Sequence, residues 1–213
     1  MFFVVDVETS NLSPWHPDGY LLSVGIVPVT QTGDIRYKDY FYGKLQADLP
    51  PEWYDDDLPT KNETLIWWRQ QDIAAQDEAY RAIKARGTLS DIALQITTYV
   101  EEIEPDKSQR YIAANPVAFD KMWMEYLFGV TRQEFPFHYR CLCLRSMKFG
   151  ITDEPEFGSD RSGHEPDFPH VAWSDAFAEA KDLQDMIDFK NRIPSPRTYG
   201  MFRKFIAGGS RPE

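Results

Sequence analysis

The chain has 213 residues, 42% of them hydrophobic, which is enough for one domain with a sizeable core and cramped for two. Its 34 acidic against 23 basic side chains set a net charge of −11, so a broad basic surface gripping long nucleic acids is not expected. No run of 18 apolar residues occurs, so no membrane span is expected, and Cys141 and Cys143 have no second cysteine pair with which to build a zinc site.

The opening Met-Phe-Phe-Val-Val-Asp meets an acid at once and has no basic stretch before an apolar one, so it does not read as a signal peptide. Phe2 to Val7, β-branched and apolar, reads as a buried strand. Ser10 to Gly19 is a loop, Tyr20 to Val29 a second strand, and Ile35 to Leu45 a third strand after the Gly33-Asp34 turn, together an antiparallel meander. Asp48 to Pro59 is an acidic, proline-bearing loop. A helical stretch runs from Asn62 to Ala85 with a break near Gln71-Asp72. Thr88 to Glu102 is an amphipathic helix, with Thr88 or Ser90 as its cap. Arg110 to Ala114 is a short strand and Ala118 to Phe128 a helix. Arg140 to Phe149 fits a strand or a helix equally. Were it a strand, Cys141 and Cys143 would share a face as reduced core thiols, which fits the cytoplasm. Ile151 to Pro169 is a long Gly/Pro/acid-rich loop of the kind that serves function or moves. Val171 to Arg192 is a long helix, and the tail beyond it should fray at its end. Strands first, then helices interleaved with short strands, make an α/β domain with one mixed sheet and helices on its faces.

Three segments carry candidate chemistry. In Asp6-Val7-Glu8 the two carboxylates leave one face of a strand, close enough to share a cation, although a strand end reaching solvent would look the same. Asp120 stands in the first turn of a helix that follows a strand, where an acid suits the helix dipole and where open α/β sheets also place ligands. His170 and Asp175 would point about 140° apart on one helix. They converge only if His170 stays in the loop and the helix begins just after it, with Ser174 as a candidate cap. Ala172 and Ala176 leave room for close packing there. Four carboxylates suit Mg²⁺ or Mn²⁺ rather than zinc. Two such ions can clamp the attacking and leaving oxygens of a phosphoryl centre, and a neutral histidine can take the water's proton.

Val5-Asp6-Val7-Glu8-Thr9, Asn115 to Asp120 with Phe119, and His170-x-Ala172-x-x-Asp175-Ala176 occur in an order that resembles the DEDDh exonucleases, the group that includes RNase T, oligoribonuclease and the polymerase proofreading subunits. The resemblance covers most of the chain and implies a ribonuclease H-like fold with a mixed five-stranded sheet flanked by helices. It implies an exonuclease domain over 1–195, a tail over 196–213, two Mg²⁺ or Mn²⁺ ions on Asp6, Glu8, Asp120 and Asp175 with Asp6 bridging them, and His170 as general base. Leu65 to Gln71, with Trp67 and Trp68, and Arg140-Cys141 place it nearest a bacterial and phage branch of small exoribonucleases that includes DexA-type exonucleases. That branch often has an acid at position 139 or 140, where this chain shows Tyr139-Arg140.

The implied function is 3′→5′ release of nucleoside 5′-monophosphates from single-stranded 3′ ends, with RNA slightly preferred over DNA. Thr9, Asn115, Phe119, Trp67 and Trp68 are the candidate substrate contacts, a tryptophan stacking on the terminal base, although paired aromatics are more often helix core. Arg69, Arg140 and Arg145 are candidate phosphate contacts. Two other readings stay open: a non-catalytic nucleic-acid-end or nucleotide-binding module on the same fold, and a phosphohydrolase of small nucleotides. A homodimer is an open expectation.

Overall fold

The computed structural model describes residues 1–81, 87–152 and 164–192. Among them, five strands form one mixed sheet in the order β3-β2-β1-β4-β5. β1 (Phe2–Thr9) pairs antiparallel with β2 (Leu21–Val29), which pairs antiparallel with β3 (Phe41–Lys44). On its other side β1 pairs parallel with β4 (Tyr111–Ala114), and β4 with β5 (Cys141–Cys143). The helices are α1 (Glu63–Trp68), α2 (Ile73–Gln76), α3 (Leu89–Ile103), α4 (Val117–Thr131), α5 (Leu144–Thr152) and α6 (Ala172–Arg192). None is long and apolar enough to cross a membrane.

The alternation of β1 assigns its two faces. Phe3, Val5 and Val7 pack with Ile92, Ile96 and Val100 of α3 and with Trp123, Met124 and Leu127 of α4. Phe2 and Val4 point the other way, against Ala176, Ala180 and Leu183 of α6. Asp6 and Glu8 continue this second row, because side chains two apart share a face. The strand therefore runs from hydrocarbon into carboxylate beneath the first turns of α6.

α6 reaches this row because of Gly25. In the β1–β2 register Gly25 lies opposite Asp6. A methyl group there would overlap the Ala172 carbonyl and the Trp173 amide nitrogen. The start of α6 thus rests directly on the strand backbone, and Ala172 and Ala176 are fully buried. A third cluster joins Leu22 to Leu49, Trp53, Leu65, Trp68, Ala75 and Tyr80, fastening the segment between β3 and α3 to the sheet.

Several boundaries differ from expectation. The third strand is only Phe41–Lys44, with a lone bridge from Ile35 to Val29, because the turn at Arg36–Asp39 separates the two halves. The stretch from 62 breaks after Trp68 and resumes at Ile73, passing into a π-turn over Asp77–Arg81; the remainder, 82–86, lies outside the described residues. Thr88 does cap α3, in a reciprocal capping box with Asp91. Arg140 to Phe149 is both things in turn, edge strand and then helix. Cys141 and Cys143 are free thiols, but Cys141 is exposed and Cys143 half-buried, since a three-residue edge strand covers little. The middle of the expected long loop, 153–163, also lies outside the described residues.

Gly25→Ala should lower stability to urea by about 1–3 kcal/mol, the usual cost of overpacking, because backbone rather than a side-chain tip must yield. A variant within about 0.5 kcal/mol of the parent would show that α6 does not depend on this approach.

Candidate active site

Asp6 and Glu8 leave the end of β1 on the face that α6 covers. Asp120 arrives from the first turn of α4, itself placed at the end of β4 beside β1. Its Oδ1 accepts a hydrogen bond from the Val7 N–H at 3.2 Å, which fixes it between the two β1 acids and explains why an acid so near a helix start is buried rather than solvated. Asp175 lies in the first turn of α6, where its Oδ2 accepts from the Val171 N–H at 3.1 Å. Two of the four carboxylates are therefore held by backbone donors.

His170 stands outside α6, with a left-handed backbone at φ 62°. Such a conformation is uncommon outside glycine, though histidine adopts it more readily than branched residues. It breaks the chain direction just before the helix, so His170 and Asp175 escape the 140° separation. Donor atoms of Glu8, His170 and Asp175 all lie within 4.8 Å of one another. The cap is not Ser174. α6 begins two residues earlier, and the Ser174 hydroxyl, buried, instead accepts from the Phe168 N–H at 2.9 Å.

The tryptophan pair divides. Trp68 is fully buried, and its Nε1–H donates to the Thr9 carbonyl at 3.1 Å. Trp67 is 40% exposed and packs its ring nearly perpendicular to the His170 imidazole, with centroids 4.7 Å apart. A cleft of about 400 Å³ is lined by Glu8, Thr9, Leu12, Trp67, Trp68 and Phe119. The Thr9 hydroxyl donates to the Asn11 carbonyl. Asn115 closes β4, and its Oδ1 has no hydrogen-bond partner among the described residues.

The three arginines named as candidate phosphate contacts differ in surroundings. Arg69 donates to the carbonyls of Glu52, Asp55 and Leu58 and pairs with Asp56 at 3.5 Å, so it ties down the loop before α1. Arg140 is exposed and lies over the Tyr139 ring. Arg145 is half-buried on α5. Sequence reasoning also passed over Glu179, buried one turn beyond Asp175 and electrostatically coupled to Asp120, Asp175 and Asp6. Its i, i+4 spacing from Asp175 was the available signal.

Burial, then repulsion from Glu8, Asp175, Asp120 and Glu179, holds the Asp6 carboxyl well above the ordinary range. Glu8 is raised by burial and then by Asp175 and Asp120. Burial pushes Asp120 up to about 7, against the lowering effect of the Val7 N–H. This donor set, oxygen-rich, without thiolate and crowded enough to resist ionisation, fits a hard divalent cation.

A folded group whose pKa is raised keeps a proton that the unfolded chain has released. Asp120 therefore stabilises the fold below about pH 4, and that contribution is lost as pH rises through about 7. In EDTA the melting temperature should fall between pH 5 and pH 7.5, Asp120→Asn should flatten part of the fall, and Mg²⁺ should restore more at pH 7.5 than at pH 5. A melting temperature that climbs over that interval in EDTA contradicts the electrostatic picture.

The fold is shared with known nucleases. The nuclease domain of 3′hExo, a DEDDh family member solved with bound rAMP, superposes with a TM-score of 0.61 at 11% identity, covering 88% of this chain and 92% of that one. Cell-death related nuclease 4 (CRN-4) gives 0.59 at 16% identity, covering 88% and 64%. The zinc-bound E. coli ExoI–ssDNA complex gives 0.60 at 16% identity, covering 97% of this chain and 44% of that one. No curated protein matches the sequence. Residues 1–187, however, match the family model described as the 3′-5′ exoribonuclease Rv2179c-like domain. With its ribonuclease H-like sheet, the chain belongs to this family and is a 3′-5′ exonuclease.

Proposed function

We propose that this exonuclease removes nucleoside 5′-monophosphates one at a time from single-stranded 3′ ends, with RNA slightly favoured over DNA. The observation that carries the reading is the meeting of Glu8, Asp175 and His170 within 4.8 Å at the edge of the cleft beside Trp67 and Phe119. Asp6, Glu8, Asp120 and Asp175 would hold two Mg²⁺ or Mn²⁺ ions, which when bound supply positive charge and Lewis acidity at the scissile phosphate.

The protein's own groups do the remaining work. The Val7 and Val171 amides keep Asp120 and Asp175 in place, so little reorganisation is needed. His170 takes the proton of the attacking water, its imidazole packed against the Trp67 ring. Trp67 and Phe119 wall the cleft for the terminal base, a contact that tolerates any sequence. Trp68 and Thr9 act behind them, through the indole-to-carbonyl bond. Asn115 is the remaining candidate contact to substrate.

Two solved relatives support the substrate class: 3′hExo holds rAMP, and ExoI holds ssDNA. The preference for RNA rests on the family description. The net charge of −11 fits a short footprint in which few phosphates are gripped.

Matched 5′-labelled RNA and DNA oligomers, single- and double-stranded, with Mg²⁺ or Mn²⁺, test this directly. Ladders shortening from the 3′ end, fastest on single-stranded RNA, are expected, and EDTA should stop them. Conversion of free nucleotides with the oligomers left intact would refute the reading.

Asp6→Asn should abolish hydrolysis while the circular dichroism spectrum stays unchanged. His170→Ala should lower kcat by roughly 10²–10⁴ and KM far less. An unaltered kcat removes His170 from the reaction.

A further inference from the structure

Behind the acids lies a second charged layer that the reaction above does not use. α6 carries Asp175, Glu179 and Asp182 at i, i+4 and i+7, hence on one inward face. Asp182, 5% exposed, is anchored twice: its Oδ2 pairs with Lys148 Nζ at 2.5 Å, and its Oδ1 accepts from the His164 N–H at 3.2 Å. Lys148, 4% exposed, comes from α5. Glu179, 7% exposed, stands between this pair and the site, within electrostatic range of Asp120 and Asp175 on one side and of Lys148 and Asp182 on the other. Its Oε2 has no hydrogen-bond partner among the described residues.

A buried carboxylate with an unsatisfied oxygen is costly, and so is a lysine ammonium taken from water. Packing alone would be served as well by a leucine at either position. Their placement beside the site has an electrostatic consequence of definite sign. Lys148 opposes the arrival of further positive charge while holding like-charged acids together. Glu179 favours that arrival.

We propose that Lys148 and Glu179 are positioning residues that set how tightly the acid site holds its divalent cations, Lys148 weakening and Glu179 strengthening the hold. The inference rests on the metal reading given under Proposed function.

The test is calorimetric Mn²⁺ titration of the full chain at fixed pH and ionic strength, together with melting in EDTA. Glu179→Gln, nearly isosteric, should raise the Mn²⁺ Kd by roughly tenfold or more, because removing a neighbouring negative charge weakens the pull on a doubly charged ion. Its melting temperature in EDTA should hold or rise. Lys148→Met should lower the Kd by a similar factor and melt earlier, and Lys148→Arg should return the Kd to the parent value. A purely structural role would change melting without opposite shifts in affinity. Should Lys148→Met not fold, the Glu179→Gln shift decides alone. An unchanged or lower Kd in Glu179→Gln overturns the proposal. A parent protein that binds no Mn²⁺ overturns the metal reading and, with it, this inference.

Discussion

Like charges confined in a poor dielectric are the constraint around which this molecule is arranged. Donor oxygens of Glu8 and Asp175 lie within 4.8 Å of each other. At an effective dielectric of about 20, two full charges at that spacing repel by roughly 3–4 kcal/mol. Asp6 and Asp120 add to the crowding, and all the resolved shifts among these acids point upward, toward the protonated form. The scaffold must hold the acids against this repulsion. It does so with apolar contacts on both faces of β1, Val5 and Val7 against α3 and α4 and Val4 against α6.

α6 is the element on which the geometry turns. It touches the sheet backbone at Gly25, next to Asp6, and nothing larger than glycine fits there without displacement. Directly before it, the left-handed turn at His170 lets one short segment present an imidazole and a carboxylate to the same point. Unusual backbone of this kind persists where surrounding contacts over-determine it, and here Trp67 abuts the imidazole while Val171 is bonded to Asp175. The same helix then carries Glu179 and Asp182 down to Lys148, so the crowded acids of the site continue into a buried, partly neutralised layer.

Two arginines brace irregular backbone away from the acids. Arg69, beside the tryptophan pair in sequence, binds three carbonyls of the loop before α1. Arg110 is buried, with its guanidinium on the carbonyls of Glu104, Pro105 and Pro136. These arginines act as cross-braces for irregular backbone, which suits a chain whose own charge disfavours a long polyanion outside the site.

Local pattern alone was enough to read the buried first strand, Thr88 as one of two candidate caps of α3 and the start of α6 just past His170, because periodicity, cap chemistry and turn residues act over a few positions. The order of the acid-bearing motifs likewise pointed to the nuclease family. Other features belong to contacts far apart in the chain. Cys141 is exposed because β5 is an edge strand, a fact of sheet order rather than of hydropathy. Trp67 and Trp68 differ because only one reaches the Thr9 carbonyl, 59 residues away. Arg69 braces the loop before α1 because that loop folds back onto it. Lys148 and Asp182 meet across two helices, and neither residue type nor spacing announces a pair whose partners are brought together only by packing. Short-range chemistry is written in the chain, whereas charge pairing and burial depend on which distant surfaces the closed core sets face to face.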